Sequence, residues 1–215
     1  MKTILLKDAA ALIPDGASVM IGGFMGVGTP ERLVDELVRQ GKRNLTVIAN
    51  DNALPGIGIG KLISAGAVRK TIASHIGLNP ETQKKMLAGE LEVDLVPQGT
   101  LIERIRAGGF GLGGVLTPTG VGTVVEKGKQ RIEVDGQALS ARDRAARRFR
   151  AGAGVSRRLH RQPLLRADRA QLQPGDRDGG RHGDRRSRQH RARRRDRPDH
   201  VVTPAPVVDY IISHA

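Results

Sequence analysis

The residues best suited to chemistry gather where glycine is dense. Residues 15–30 read DGASVMIGGFMGVGTP. An apolar run ends at Gly22 and Gly23. A turn through Phe24, Met25, Gly26, Val27 and Gly28 follows, and Thr29-Pro30 opens a helix. Glycine lets the backbone come close to a ligand, and a helix start offers unpaired N–H groups to an anion. Such a loop suits a phosphate- or thioester-bearing ligand. The same residues also make a plain tight strand–helix turn. Two familiar phosphate loops fail for this stretch. The position five after Gly26 is Glu31, which breaks GxGxxG, and Thr29-Pro30 stands where a P-loop needs lysine.

A second strand end meets a helix start at VPQGT (96–100), where the amide of Gln98 is placed to donate to an oxyanion or simply to face solvent. A third stretch, IRAGGFGLGGVLTPTGVGT (105–123), is rich in glycine and nearly free of charge. It suits either a mobile wall over a substrate or a long irregular connection. Asn50, Asp51 and Asn52 close another strand, where polar residues often line a site in open α/β sheets and as often make a turn. His75 follows a strand alone. The histidines lack partners at metal-ligand spacing, and no Ser-His-Asp grouping can be assembled.

The elements that position these residues alternate. SVMIGG (18–23), NLTVIAN (44–50), VRKTIAS (68–74) and LEVDLVP (91–97) are strand-like. TPERLVDELVRQG (29–41) is helical, with Thr29 as N-cap, Pro30 at the first position and Leu33, Leu37 and Val38 on one face. NPETQKKMLAGE (79–90) repeats that grammar from Asn79 and Pro80, and TLIERIRAGG (100–109) is a helix closed by glycines. Strands alternating with helices predict an α/β fold: an open, mostly parallel sheet with helices on both faces.

The chain has 215 residues, enough for one domain with one sizeable core, and a formal charge of +14. That charge is not spread evenly. Residues 1–136 hold 16 basic and 14 acidic side chains, whereas 137–199 hold 20 arginines and 7 aspartates. In the latter segment every cation is Arg and every anion is Asp, and no apolar periodicity survives. One reading is a solvated basic arm for nucleic acid. Phe149 is its one aromatic, which disfavours a stacking platform and makes nucleic acid an unlikely partner. The sharper reading is a shifted reading frame over 137–197, because GC-rich codons read out of register yield Arg, Ala, Gly, Pro and Asp. Synonymous codons for 142–190, read one base later, can give strings such as ADFALV, ARNFNP and DTVIVE. Their middle bases come from wobble positions, so the codons permit these strings without dictating them. Ordinary sequence returns at Pro198, which requires a compensating shift near Arg197. The chain is then a single 1–215 domain interrupted by a non-native stretch. Cysteine is absent, no secretory signal pattern opens the chain, and no apolar run reaches the roughly 20 residues of a bilayer span. A cytoplasmic, non-membrane protein is the expectation.

The run Asp15-Gly16, two free positions, Val19-Met20-Ile21, then GGFMGVGTP meets every specified position of the family I CoA-transferase signature, and the chain resembles the α subunit of that family. GELEVDLVPQGTLIERIRAGG (89–109), LTPTGVGTVVEKGKQ (116–130) and PDHVVTPAPVVDYII (198–212) are similar to the same α chain. GGFMGVGTP and GFGLGG lean toward the acetate/acetoacetate type. The resemblance implies ping-pong transfer of coenzyme A from an acyl-CoA to a carboxylate, with the nucleophilic Glu on a β subunit and an α2β2 assembly. It further implies that Gly22, Gly23, Phe24, Met25, Gly26, Val27 and Gly28 hold coenzyme A, that Gln98 is an oxyanion donor, and that no metal takes part. A degenerate relative that binds coenzyme A without turnover is the remaining alternative.

Overall fold

A computed structural model of the chain describes residues 2–145, 149–151, 162–164 and 209–213. The described chain forms a large sheet, ordered β1 (Lys2–Leu5), β11 (Tyr210–Ser213), β10 (Gln162–Leu164), β9 (Phe149–Ala151), β2 (Ser18–Ile21), β3 (Leu45–Asp51), β4 (Val68–His75) and β5 (Glu92–Leu95). Only β10 runs against the rest. From β2 outward the chain moves strand by strand to β5, while β2's other neighbour, β9, belongs to a much later part of the sequence. Strand β2 therefore sits where the strand order reverses, and ligands of open α/β sheets settle at the carboxyl ends there.

Both faces of the central strands are apolar, as a sheet covered on two sides requires. Val19, Ile21, Val47 and Ala49 point into one core with residues of α1 (Leu6–Ala11), α2 (Glu31–Arg39) and α3 (Gly60–Ser64). Their alternates Met20 and Ile48 join Ile72 and Val96 against Leu101 and Ile105 of α5 (Gln98–Phe110). Helices thus cover both faces, as the alternation predicts. Leu33 and Leu37 of α2 are fully buried, each contributing about 1.5–3 kcal/mol by leaving water.

Helix α4 (Pro80–Leu87) starts as its sequence dictates. The Asn79 side chain caps it by accepting from Thr82 N–H at 3.0 Å. Helix α2 departs from expectation: Pro30, not Thr29, takes its N-cap place, without a side-chain cap bond. Helix α5 begins at Gln98, two residues before the expected start, and Gly111 closes it in the left-handed conformation. The glycine-rich stretch 105–123 is therefore no long irregular connection, since α5 runs through Phe110 and β6 (Gly114–Thr117) follows at once.

A second, antiparallel sheet is ordered β6, β8 (Gln137–Asp143), β7 (Arg131–Val134). Its β7–β8 hairpin turns on Asp135-Gly136, both at positive φ, the dipeptide that a two-residue hairpin turn prefers. Arg104 of α5 donates through Nε to the carbonyl of Asp143 at 2.7 Å, tying this sheet to the helix. The compositional boundary at 137 thus coincides with the first residue of β8. Within β8, Ser140 and Arg142 are buried, and Arg142 donates to the carbonyls of Val125 and Thr119. Two three-residue strands from the Arg-rich segment, β9 and β10, occupy places in the large sheet, joined to each other by the single registered pair Leu164 and Ala151. The rest of the segment, 146–148, 152–161 and 165–197, lies outside the described residues, as does 198–208 of the C-terminal stretch.

Candidate functional site

Because β2, β3, β4 and β5 are parallel and in register through Met20, Ile48, Ile72 and Asp94, their carboxyl ends form one edge. Along it lie the loop from Gly22 to Gly28, the polar end of β3 at Asp51 and Asn52, His75, and Gln98 at the start of α5. The loop and Gln98 share the edge but stand three inter-strand spacings apart, about 14 Å.

The loop is a small closed turn. Phe24 N–H donates to Val27 O at 3.0 Å, and Val27 N–H to Phe24 O at 2.9 Å. Thr29 N–H donates to Gly26 O at 3.2 Å, and Met25 N–H to the Asp51 carboxylate at 3.0 Å. The residues that carry side chains thus spend their amides on the protein. Among the described residues, nothing accepts from the amides of Gly23, Gly26 or Gly28. These three glycines are at φ of 124°, 87° and 80°. Gly23 and Gly26 are obligatory for a second reason, close approach. A Cβ on Gly23 would stand 2.3 Å from Thr29 Oγ1, and one on Gly26 would stand 2.5 Å from Ile57 Cγ2.

The helix start offers less than the sequence suggests. Pro30 has no N–H, Glu31 N–H donates to Thr29 O at 2.9 Å, and Leu33 N–H donates to Pro30 O at 2.9 Å. Glu31 also puts a carboxylate at this end, where an anion would be repelled. The donors available to a ligand are therefore glycine amides of the loop, not the first turn of α2.

Two carboxylates fix the loop. Asp51, only 2% exposed, accepts through Oδ2 from both Met25 N–H and Ala53 N–H, the latter at 3.2 Å. Glu31 accepts from Gly58 N–H at 2.8 Å, and Gly58 lies so near Gly26 that a Cβ on it would be 3.2 Å from the Gly26 Cα. Lys61 closes this second clamp through Asp35 at 2.7 Å and Glu31 at 2.6 Å, and those two carboxylates raise its pKa, Asp35 first. Behind Asp51, the buried Asn52 accepts from Thr71 Oγ1 at 2.9 Å through its side chain and from Asn79 Nδ2 at 3.1 Å through its carbonyl. This network holds the β3 end to the start of α4.

Gln98 is exposed at the first position of α5, and His75 is exposed at the end of β4. Sequence reasoning singled out the loop and Gln98 but left Asp51 undecided between turn and site, and it missed Glu31 and Gly58 altogether. The signals were an acidic residue between two asparagines at a strand end and the spaced glycines 56, 58 and 60. Among the described residues no cluster of His, Cys, Asp and Glu could hold a metal ion, and no helix is long and apolar enough to cross a membrane.

The architecture is that of an open α/β enzyme domain with a glycine loop at the sheet's switch point. Residues 3–142 match the family described as coenzyme A transferase, and the chain belongs to that family, an enzyme class that transfers coenzyme A. The chain is 48% identical to the acetate CoA-transferase subunit alpha of Escherichia coli K12 over 230 aligned positions, covering 98% of this chain and 96% of that one. It is 56% identical to the acetoacetyl-CoA:acetate/butyrate CoA transferase alpha subunit of Clostridium acetobutylicum over 135 residues, spanning 63% of this chain and 62% of the relative. An acyl-CoA transferase from E. coli O157:H7, solved as its thioester complex with CoA, superposes with a TM-score of 0.60 at 22% identity over 69% of this chain and 33% of that one, a likeness of fold alone.

Proposed function

We propose that the chain is the α subunit of a two-subunit CoA-transferase of the acetate/acetoacetate class. It exchanges coenzyme A between a short-chain acyl-CoA and a carboxylic acid, with a β subunit supplying the nucleophilic Glu. The acyl-CoA carbonyl is attacked by that carboxylate, giving an acyl-glutamyl anhydride and releasing the CoA thiolate. The thiolate then attacks the glutamyl carbonyl, releasing the first acid and leaving a glutamyl-CoA thioester. The incoming acid runs both steps in reverse, so atoms and charge balance without a metal or redox partner. An α2β2 assembly in the cytoplasm is the form this reading favours.

The observation that carries the reading is the set of unspent amides at Gly23, Gly26 and Gly28 at the carboxyl end of β2. Coenzyme A suits the edge because it is long and ends in a thiol, so one molecule can lie along the loop and present its thioester toward Gln98. There the carboxamide of Gln98 donates to the oxyanion that develops on the carbonyl. Gly22, Phe24, Met25 and Val27 complete the cradle, the last three by exposed apolar surface.

The segment 137–197 is read as a frame-shifted stretch. One observation supports this: the family match ends at Arg142, the residue where the alternative codon reading begins. The nucleotide sequence across codons 136–200 tests this directly, and an uninterrupted frame would remove the idea. For the activity, a frame-restored chain purified with its β subunit should exchange coenzyme A between acetyl-CoA and acetoacetate. A complex that neither binds coenzyme A nor exchanges it would overturn the functional reading.

A further inference from the structure

The described chain holds four non-glycine residues at positive φ: Met25 at 53°, Asn44 at 57°, Ala53 at 51° and Asp135 at 49°. Asn and Asp tolerate this region because their short polar side chains bond locally. Met25 and Ala53 have no such help, and each costs roughly 1–2 kcal/mol to hold there. Both donate their N–H to one atom, Asp51 Oδ2, at 3.0 and 3.2 Å. Asp51 ends β3, is 2% exposed and has no cationic partner among the described residues. A buried carboxylate held by amides alone is a costly way to close two turns that neutral residues could close. The cost is understandable if the loop's shape is itself needed.

We propose that Asp51 is the positioning residue of the glycine loop. By fixing Met25 in the left-handed region, it keeps Gly23, Gly26 and Gly28 in the conformation whose amides stay uncommitted, ready for the phosphate or thioester oxygens of a CoA thioester. The proposal rests on the reading of the loop as the coenzyme A site. It adds that the neighbouring strand, not the loop's own sequence, sets that site. Asp51 acts through Met25 and does not touch the ligand.

The test uses the 215-residue chain, its Asp51→Ala variant and its Asp51→Asn variant, whose amide oxygen can accept the same two N–H groups. Hydrogen exchange is followed in peptides covering 22–29 and in the core strands 45–49 and 68–73, and coenzyme A binding is followed by equilibrium dialysis. Asp51→Ala should raise exchange in 22–29 at least tenfold and weaken coenzyme A at least tenfold, while the core strands keep wild-type protection. Asp51→Asn should restore both to within about threefold. The proposal falls if Asp51→Ala leaves loop exchange and affinity unchanged. It falls equally if core exchange rises together with the loop and Asp51→Asn does not rescue, since Asp51 would then be plain structural support. If the wild-type chain binds no coenzyme A while loop exchange still follows Asp51, the loop-positioning claim stands and the assignment of the loop to coenzyme A fails.

Discussion

Replacing Gly23 by alanine attacks the loop at its tightest point. Its φ of 124° lies in a region that L-residues rarely enter, and the added Cβ would stand 2.3 Å from Thr29 Oγ1 and 2.9 Å from the Thr29 backbone nitrogen. The dihedral costs about 1–3 kcal/mol. The clash adds roughly 1–3 kcal/mol, because Thr29 is buried and half of the obstruction is backbone. A destabilisation of about 3 kcal/mol should lower the melting temperature by roughly 6–12 °C for a chain of this length. Gly16→Ala is the control. Gly16 also has positive φ, 75°, but nothing lies within 4 Å of its would-be Cβ, so that change should cost only about 1 kcal/mol. Thr29→Ala in the Gly23→Ala background removes the hydroxyl and leaves the backbone nitrogen, and should recover about half of the clash. Thermal and urea unfolding of the wild type and these three variants measures all of this, and coenzyme A binding should be lost in Gly23→Ala before the fold is. Equal costs for Gly23→Ala and Gly16→Ala would refute the claim that close packing against Thr29 shapes the loop.

Gln98→Ala, in the frame-restored enzyme with its β subunit, should lower kcat about a hundredfold or more with modest change in KM, the loss of one oxyanion donor at about 3 kcal/mol. Unchanged kcat would remove Gln98 from the site. Asn79→Ala deletes both the cap of α4 and the bond to the Asn52 carbonyl from a fully buried position, and urea unfolding should show a loss of about 2–3 kcal/mol. Hydrogen bonds from Arg39 and Gln40 hold the Glu36 carboxyl down to about 2. Its contribution is therefore present above the unfolded value near 4.5 and is lost as pH falls from there through about 2. Solvent screening at the exposed Arg39 keeps it small, and Glu36→Gln should flatten the stability difference between pH 6 and pH 2.5.

Local grammar was legible wherever a residue's own conformational preference decides the outcome. Asn79-Pro80 started α4, the apolar runs of 18–21 and 45–49 made strands buried on both faces, and Gly41 and Gly89 took left-handed positions that end helices, whereas the glycines expected to close α5, Gly108 and Gly109, lie inside it and Gly111 ends it. The composition of 137–199 marked a change of character that starts at the first residue of β8. A strand such as β8 needs only pairing partners and two inward residues, and Ser140 and Arg142 serve as those without any apolar signature. The Asp135-Gly136 hairpin signal went unused, and with it the second sheet.

The sequence by itself determined the alternation of strands and helices, the glycine loop and its family resemblance, because dihedral freedom and apolar periodicity are properties of neighbouring residues. Only the tertiary structure decided which amides the loop keeps, since that depends on Asp51 reaching Met25 from another strand, on Glu31 holding Gly58, and on Gly58 lying against Gly26. Hydrogen bonds between residues 26 and 27 positions apart leave no local trace in composition or spacing. They exist because parallel pairing brings the ends of β2 and β3 side by side.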